Sequence, residues 1–211
     1  SGVDIDLEIQ NGVLKSVNLK EAEIVELPTN ITSIGDKVFR YCRSLKCITI
    51  PSTVTSIGNY AFEYCNSLTN ISIPDSVKSI GYCAFAECSS LKEVLLPKGI
   101  ECIDFHTFAN CRSLENIFIP SRVSSIDASA FTGCMSLRAF DVDWDNKYYI
   151  DVDGFLLDSS GETFVASPGS VTNAVIPSGV KKIGEQAFWE NIFLKDVVIP
   201  NGVTNIGDKT F

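Results

Sequence analysis

Positive charge and histidine are scarce in this sequence, and long apolar runs are missing. Lys and Arg number 17 against 26 Asp and Glu, which leaves a formal net charge of −9. Binding to nucleic-acid phosphates needs clustered Lys and Arg, whereas the densest basic group here is the pair Lys181 and Lys182. No stretch approaches the roughly 18 apolar residues that a membrane-spanning helix needs. We therefore predict no nucleic-acid partner and no membrane insertion within this chain.

Histidine occurs once, at His106. A Ser-His-Asp or Cys-His mechanism would have to be built around this residue. No G-x-S-x-G motif, Gly-rich phosphate loop or paired-carboxylate motif accompanies it. We therefore predict that the protein is not an enzyme and needs no cofactor.

What the sequence does contain is a regular repeat, with a period of 23. The stretch SLKCITIPSTVTSIGNYAF, residues 44–62, is followed at residues 67–85 by SLTNISIPDSVKSIGYCAF. The shared pattern is L-x-x-I-x-I-P-x-x-V-x-x-I-G-x-x-A-F-x-x-C-x-S, and a match at so many independent positions is the strongest signal in the sequence. The recurring prolines are Pro28, Pro51, Pro74, Pro97, Pro120, Pro177 and Pro200, and the recurring phenylalanines are Phe39, Phe62, Phe85, Phe108, Phe131, Phe188 and Phe211.

The period breaks once, between Pro120 and Pro177, where the interval is two periods plus 11. Asp143 takes the place of the proline in this interval, and the unit that follows it carries the extra length. Within that unit YYIDVDGFLL, residues 148–157, is typical of a strand, an Asp-Gly turn and a second strand. We predict an inserted hairpin here, to which Trp144, Tyr148 and Tyr149 belong.

The N-terminal segment LEIQNGVLKSV repeats this arrangement, with Asn11-Gly12 in the role of Asp153-Gly154. The chain starts without Met and stops at Phe211 inside a repeat, so we expect both ends to be cut and more chain to cover the open C-terminal edge. The predicted organisation is one domain at 1–211, with a hairpin cap at 1–21, regular repeats at 22–143, a hairpin insert at 144–170 and truncated repeats at 171–211.

A single repeat unit is too short to bury its own apolar face, but stacked units can bury theirs together. In LKCITIP the apolar Ile48 and Ile50 alternate with Cys47 and Thr49, which predicts a strand with one buried face. The proline ends that strand, VTSIG predicts a second short strand, and NYAFEYC predicts a single helical or 3₁₀ turn. The predicted fold is an α/β solenoid of about eight units with a parallel main sheet.

These residues carry a family resemblance. The pattern resembles the leucine-rich repeat, in the variant of BspA-like bacterial surface proteins and the similar treponemal repeats of the same period, and it covers essentially the whole chain. The stretch DNKYYIDVDGFLLDSSGETFVASPG is similar to the hairpin insert of that family. The resemblance implies a leucine-rich-repeat solenoid from a cell-surface or secreted bacterial protein, used for adhesion to host or neighbouring-cell proteins. It specifies the fold more closely than the function, because this repeat is a scaffold.

Five cysteines recur with the period of the repeat. We interpret them as buried, stacked thiols, because parallel stacked side chains do not converge as a disulfide requires. Cysteines that lie one full repeat apart also do not offer the compact ligand set that zinc needs. Cys47, Cys83 and Cys102 fall outside the pattern, which does not settle whether they are exposed or paired. The recurring cysteines are Cys42, Cys65, Cys88, Cys111 and Cys134.

The stretch DVDWDNKYYIDVDG, residues 141–154, has a weak calcium alternative. Asp141, Asp143 and Asp145 match the start of an EF-hand loop. Asn146 stands where that loop has glycine, and Val152 stands where it has its bidentate glutamate. We therefore interpret the stretch as a solvated acidic turn.

The positions that the repeat leaves free alternate with the core residues of the main strand, so we expect them on the outside of the sheet. Leu95 and Phe118 are large apolar residues at such positions, where the fold does not need them. Exposed aromatic residues beside polar ones are typical anchors of protein interfaces. The candidate binding residues on this face are Glu93, Leu95, Asn116, Phe118, Asp141 and Val198.

Two functions remain open from the sequence. The first is a non-catalytic, monomeric protein-binding module that uses this face. The alternative is a structural spacer within a larger surface protein whose binding site lies elsewhere.

Overall fold

The computed structural model describes residues 5–211, so residues 1–4 of the predicted cap lie outside the described residues. In the described part the chain forms short β-strands joined by turns and winds into a solenoid of about eight coils. The strands are β1 (Asp6–Gln10), β2 (Val13–Asn18), β3 (Ile24–Glu26), β4 (Ser33–Ile34), β5 (Cys47–Thr49), β6 (Ser56–Ile57), β7 (Asn70–Ser72), β8 (Ser79–Ile80), β9 (Glu93–Leu95), β10 (Cys102–Ile103), β11 (Asn116–Ile119), β12 (Ser125–Ile126), β13 (Ala139–Val142), β14 (Tyr149–Val152), β15 (Phe155–Asp158), β16 (Thr163–Ala166), β17 (Asn173–Val175), β18 (Lys182–Ile183), β19 (Asp196–Val198) and β20 (Asn205–Ile206).

Each coil contributes one strand to each of two parallel sheets. In the first, which we call the main sheet, β11 pairs with β13 and Phe118 lies opposite Asp141, one period away. The pairs β3–β5, β7–β9 and β11–β13 are linked by backbone bonds such as Glu115 N–H to Lys92 O at 3.3 Å. The second sheet contains the shorter strands, as in the row β2-β4-β6-β8. The predicted parallel main sheet and short second strands are therefore confirmed.

Burial along the main strands follows the predicted alternation. Ile48 and Ile50 are 5% and 6% exposed, whereas Cys47 and Thr49 face solvent. The next residue, Pro51, begins a turn in which its carbonyl accepts from Val54 N–H at 3.1 Å. The strand ends here because proline has no N–H to donate to a neighbouring coil.

The predicted helical or 3₁₀ turns are wrong. Tyr60 and Tyr64 have φ angles of 57° and 60°, in the left-handed region that a right-handed helix cannot contain. The N–H groups of Tyr60 and Phe62 donate to Tyr82 O and Ala84 O, at 3.0 and 2.7 Å. The N–H groups of Tyr60, Phe62 and Tyr64 therefore bond between coils, whereas in a helix they would bond within one coil.

A stack of phenylalanine rings runs through the centre of the solenoid. The centroids of Phe39 and Phe62 are 4.9 Å apart, those of Phe62 and Phe85 are 5.2 Å apart, and Phe108 follows Phe85 at 5.6 Å. These separations are close to the spacing of neighbouring strands, about 4.8 Å, so the rings stack one per coil. The rings of this stack are fully buried as far as Phe108.

The recurring cysteines line the same core as thiols, and the described residues contain no disulfide. Cys88 Sγ donates to Phe62 O at 3.1 Å, and Cys111 Sγ donates to Phe85 O at the same distance. Each thiol thus satisfies a buried carbonyl of the preceding coil. Cys65 and Cys134 make the equivalent bonds, whereas Cys42, in the first coil of the series, is only half-buried.

The insert is a three-stranded meander, which extends the predicted hairpin by one strand. β14 and β15 form that hairpin around Asp153-Gly154, as predicted, and β16 then returns antiparallel to β15. β16 runs parallel to β18 with Phe164 opposite Ile183, just as Leu14 of β2 lies opposite Ile34 of β4. As predicted, Asn11-Gly12 forms the turn of an antiparallel hairpin, β1–β2, just as Asp153-Gly154 does for β14–β15. In the stack, however, the position of the N-terminal hairpin is taken by β15–β16.

β15 divides the apolar interior into two clusters. Leu156 packs into the cluster of the first array, whereas Phe155 and Leu157 pack into the cluster of the second. All three are buried, so this strand is covered on both faces and is a wall common to both clusters. The insert thus ends one array and caps the next.

The absence of helix in the described residues also means that they contain no helix long and apolar enough to cross a bilayer.

The thiol stack predicts a loss of stability at alkaline pH. Burial raises the pKa of Cys88 and of Cys134 from 9.0 to about 12, and it raises the pKa of Cys65 and of Cys111 as well. The unfolded thiols ionise near their ordinary pKa while the folded ones stay neutral, so stability is complete below that pH and is lost as the pH rises toward the folded pKa. For the four thiols together, the free energy of unfolding should fall by about 5 kcal/mol as the pH rises from about 8 to about 10.

The measurement is urea unfolding followed by circular dichroism across this pH range, on the wild type and on the Cys88→Ala, Cys111→Ala double variant. We expect the variant to lose about half of the contribution of these four thiols to the pH dependence. Cys42 and Cys83, whose pKa values are also raised by burial, contribute equally in both proteins. Equal pH dependence in the two proteins would contradict the assignment.

Candidate functional site

The exposed side of the main sheet, which we call the main-sheet face, displays the residues that alternate with the core. Ala139 is half-buried and every other residue at these positions is exposed. Because each position recurs in every coil, its residues form a row across the strands at about 4.8 Å intervals. The positions are Ile24, Glu26, Cys47, Thr49, Asn70, Ser72, Glu93, Leu95, Asn116, Phe118, Ala139, Asp141, Asn173, Val175, Asp196 and Val198.

Three large apolar side chains lie on successive coils, two of them on this face and the third at its border. Leu95 is 60% exposed, Phe118 is 44% exposed, and Trp144, just after β13, is 91% exposed. We call these three residues the apolar ridge. A contiguous set of this kind differs from singly scattered surface apolar residues, which need no explanation.

A cleft opens at the end of the ridge. Its volume is about 400 Å³, and it is lined by Phe118, Asp141, Val142, Asp143 and Trp144. Phe118 and Asp141 are direct cross-strand partners, so an aromatic ring and a carboxylate stand side by side at this point of the sheet. The cleft therefore combines apolar walls with negative charge.

The loop that carries Trp144 is held in place by the buried side-chain amide of Asn146. Asn146 Nδ2 donates to Pro120 O at 2.9 Å and to Val123 O at 3.0 Å. Its Oδ1 accepts from the N–H groups of Tyr148 and Tyr149, at 2.8 and 2.9 Å. Because all these polar atoms are satisfied inside the protein, the loop is held against the coil before it and Trp144 projects into solvent.

The charge of the main-sheet face is negative. Glu26, Glu93, Asp141 and Asp196 are acidic, and no position of the face is Lys or Arg. Within residues 5–211 none of these four carboxylates is in an ion pair. The basic residues lie at the margin instead, where Arg138 contacts Glu115 at 3.4 Å. The face is thus a patch of unpaired negative charge.

The structure brings most of the predicted binding residues together. Glu93, Leu95, Asn116, Phe118 and Asp141 lie on the consecutive strands β9, β11 and β13. Val198 is exposed but lies on β19, which pairs with β17 beyond the insert.

The insert itself covers the outer edge of β13. Gly154 O accepts from Phe140 N–H at 2.9 Å, and Asp151 Oδ2 accepts from Val142 N–H at 2.8 Å. The strands β17 and β19 therefore do not continue the row of the ridge.

The three aspartates of the calcium alternative have separate roles. Asp141 faces solvent on the sheet, and Asp143 Oδ1 accepts from the backbone N–H of Asp145 at 2.9 Å. Asp145 Oδ1 in turn pairs with Lys147 Nζ at 2.8 Å. From Ile5 to Phe211 no group of three or more His, Cys, Asp or Glu side chains is placed to hold a metal ion.

His106 lies on the turn side of the solenoid. Its ring stacks on Phe105 with 3.9 Å between centroids, and its backbone N–H donates to Ser129 Oγ at 3.3 Å. Ser129 is buried and its hydroxyl donates to Asp127. Of the three cysteines outside the repeat pattern, Cys83 is buried whereas Cys47 and Cys102 are exposed.

Sequence reasoning assigned Trp144 to the hairpin insert and did not foresee its place beside the main sheet. The residue lies in the turn between β13 and β14, where it lines the cleft together with Phe118. Asp143 keeps the register of the proline that it replaces, because its N–H donates to Ile119 O at 2.9 Å. The preserved register at Asp143 was the signal that the following residue still borders the main sheet.

A family model matches most of the chain. The BspA type leucine rich repeat region, with six copies, matches residues 8–138 and 159–211. The gap between the two matches, residues 139–158, contains β13, β14 and β15. No curated protein matches the sequence.

Solved structures of bacterial leucine-rich repeat proteins share the fold. The pneumococcal vaccine antigen PcpA is 25% identical with a TM-score of 0.78, over 88% of this chain and 47% of its own. The Treponema pallidum leucine-rich repeat protein is 23% identical with a TM-score of 0.64, over 96% of this chain and 83% of its own. A leucine-rich cell surface protein of Faecalibacterium prausnitzii is 25% identical with a TM-score of 0.54, over 98% of this chain and 71% of its own. The chain thus spans less than half the length of PcpA.

Two adjacent residues of β11 test whether the ridge is needed for folding. Ile117 is 1% exposed, so Ile117→Ala should lower the free energy of unfolding by about 2–5 kcal/mol. Phe118 points the other way, and Phe118→Ala should lower it by less than about 1 kcal/mol. Urea unfolding of the two variants measures both. A loss for Phe118→Ala as large as that for Ile117→Ala would mean that the ring is part of the fold.

Proposed function

The chain belongs to the BspA-type leucine-rich repeat family, and on that premise we propose that it is a non-catalytic protein-binding module of a bacterial cell-surface or secreted protein. In this proposal it adheres, as a monomer, to host or neighbouring-cell proteins through the main-sheet face. The resemblance to a pneumococcal vaccine antigen and to a protein described as a cell surface protein supports this location.

The apolar ridge is the observation that carries the proposal. Leu95, Phe118 and Trp144 expose large apolar areas on successive coils, at positions where the core gains nothing from them. Aromatic residues surrounded by polar ones are the usual anchors of protein interfaces, where a few residues supply most of the binding energy. Glu93 and Asn116 flank the ridge and supply the polar surroundings of such an anchor.

The chain covers less than half of PcpA, and this partial coverage favours a second candidate function. The chain matches 47% of PcpA, so a binding site of a longer protein could lie on another part of it. The repeats would then be a structural spacer. A spacer needs its buried rows and its inter-coil bonds, but it does not need the ridge.

The test is binding of the purified protein to an array of extracellular host proteins, beside the Leu95→Asp, Phe118→Asp double variant. We expect the wild type to bind at least one protein of the array and the double variant to lose that binding, because a desolvated charge replaces each anchor. Circular dichroism should show that both proteins are folded, since both substituted side chains are exposed.

A matched control comes from the same face. Ile24 is 77% exposed on β3, far along the sheet from the ridge, and Ile24→Asp should keep the binding. Binding that the folded double variant retains, or an array on which the wild type binds nothing, would favour the spacer.

A further inference from the structure

We infer that the cleft between Phe118 and Trp144 receives an arginine or lysine side chain of the partner, so that the partner is a protein segment with a basic residue two positions after an apolar one. This inference rests on the proposed function, because it concerns the same face. It adds the chemistry of the group that the face recognises.

The lining of the cleft is suited to a cation. Phe118 and Trp144 present two aromatic groups, and a cation within about 6 Å of a ring face is attracted by the ring quadrupole, most strongly for tryptophan. Asp141 and Asp143 add two carboxylates, which bind guanidinium or ammonium groups through short charge-assisted hydrogen bonds. An uncharged apolar group would contact the rings but would leave both carboxylates partly desolvated and without a cation.

The chain does not supply a cation of its own to this cleft. Within the described residues no Lys or Arg forms an ion pair with Asp141 or Asp143. The basic side chains next to these aspartates in sequence are engaged elsewhere, Arg138 with Glu115 and Lys147 with Asp145. The negative charge of the cleft is therefore available to a partner.

The rest of the face favours the same sign of partner. Its charged positions are all acidic, so a basic segment would be attracted before contact and an acidic one repelled. The charge also argues against an anionic surface as the occupant, whether phosphate-rich or lipid, because nothing on the face neutralises a negative group.

The spacing of the ridge sets the spacing of the partner's residues. Leu95 and Asp141 lie two coils apart, which is roughly 10 Å at the usual distance between strands. In an extended segment, side chains on one side recur every second residue, about 6.6 Å apart. An arginine side chain reaches the remaining distance, so an apolar residue that contacts Leu95 places an arginine two positions later in the cleft.

The probe that follows from this spacing is the blocked peptide Gly-Ser-Leu-Ser-Arg-Ser-Gly. Its control is the same peptide with citrulline, the uncharged analogue of arginine. Binding is followed by NMR on ¹⁵N-labelled protein through the indole N–H of Trp144, which a Trp144→Phe variant assigns. The indole of Trp189 lies at the junction of the two arrays and is an internal reference.

We expect the arginine peptide to shift the Trp144 signal in a saturable way and to leave the Trp189 signal in place. The citrulline peptide should bind at least about tenfold more weakly, since it loses both the cation–π attraction and the charged hydrogen bond. The Asp141→Asn variant should bind the arginine peptide more weakly than the wild type does, by a similar factor. Glu185→Gln, at an exposed carboxylate outside the face, should not change it.

The outcomes separate this inference from the proposed function. Equal affinity for the two peptides, or no binding of the arginine peptide, overturns the cation assignment, and the protein array alone then decides whether the ridge binds proteins. A selective arginine response that disappears in Asp141→Asn supports the cleft. If the array meanwhile shows no ridge-dependent partner, the adhesion proposal fails and the cation site stands.

Discussion

Hydrogen bonds between coils are the constraint on which the rest of this structure depends. Many backbone donors of a coil, such as Tyr60 N–H and Phe62 N–H, find their acceptors one coil away. The buried thiols do the same through Cys88 Sγ and its equivalents. A single coil thus has neither a closed core nor satisfied polar groups, and the array is stable only as a stack. Every inward position must therefore suit the same position of its neighbours, whereas outward positions are free to vary.

The sequence predicted the parts of the fold that repeat and missed those that depend on conformation or on context. The alternation at Ile48 and Ile50 and the Asp153-Gly154 turn are local patterns, so they were readable. The left-handed φ angles at Tyr60 and Tyr64 have no such pattern, since tyrosine rarely adopts them and neighbouring coils impose them. Without that information, the stretch NYAFEYC after Gly58 resembles a helical turn.

The candidate site was predictable to a similar extent. Leu95 and Phe118 were found because each breaks the polar pattern of an outward row. Trp144 and Asn146 were not, because their roles depend on bonds to the preceding coil, which local sequence does not reveal. Asn146 was compared with the glycine of a calcium loop, yet its buried amide is the anchor that aims Trp144 outward. The proposed binding surface therefore arises where the repeat becomes irregular, at the replacement of proline by Asp143.

The two apolar clusters, separated by β15, also bear on how such a gene can change in length. Unequal recombination between copies within residues 22–143 adds or removes whole repeats and leaves every remaining strand, ring and thiol opposite an equivalent partner. The unit with the insert cannot be exchanged in this way, because Leu156 and Phe155 belong to different cores. Loss of this unit would expose the start of the second array. The number of repeats in the first array can therefore change, whereas the unit with the insert has to stay.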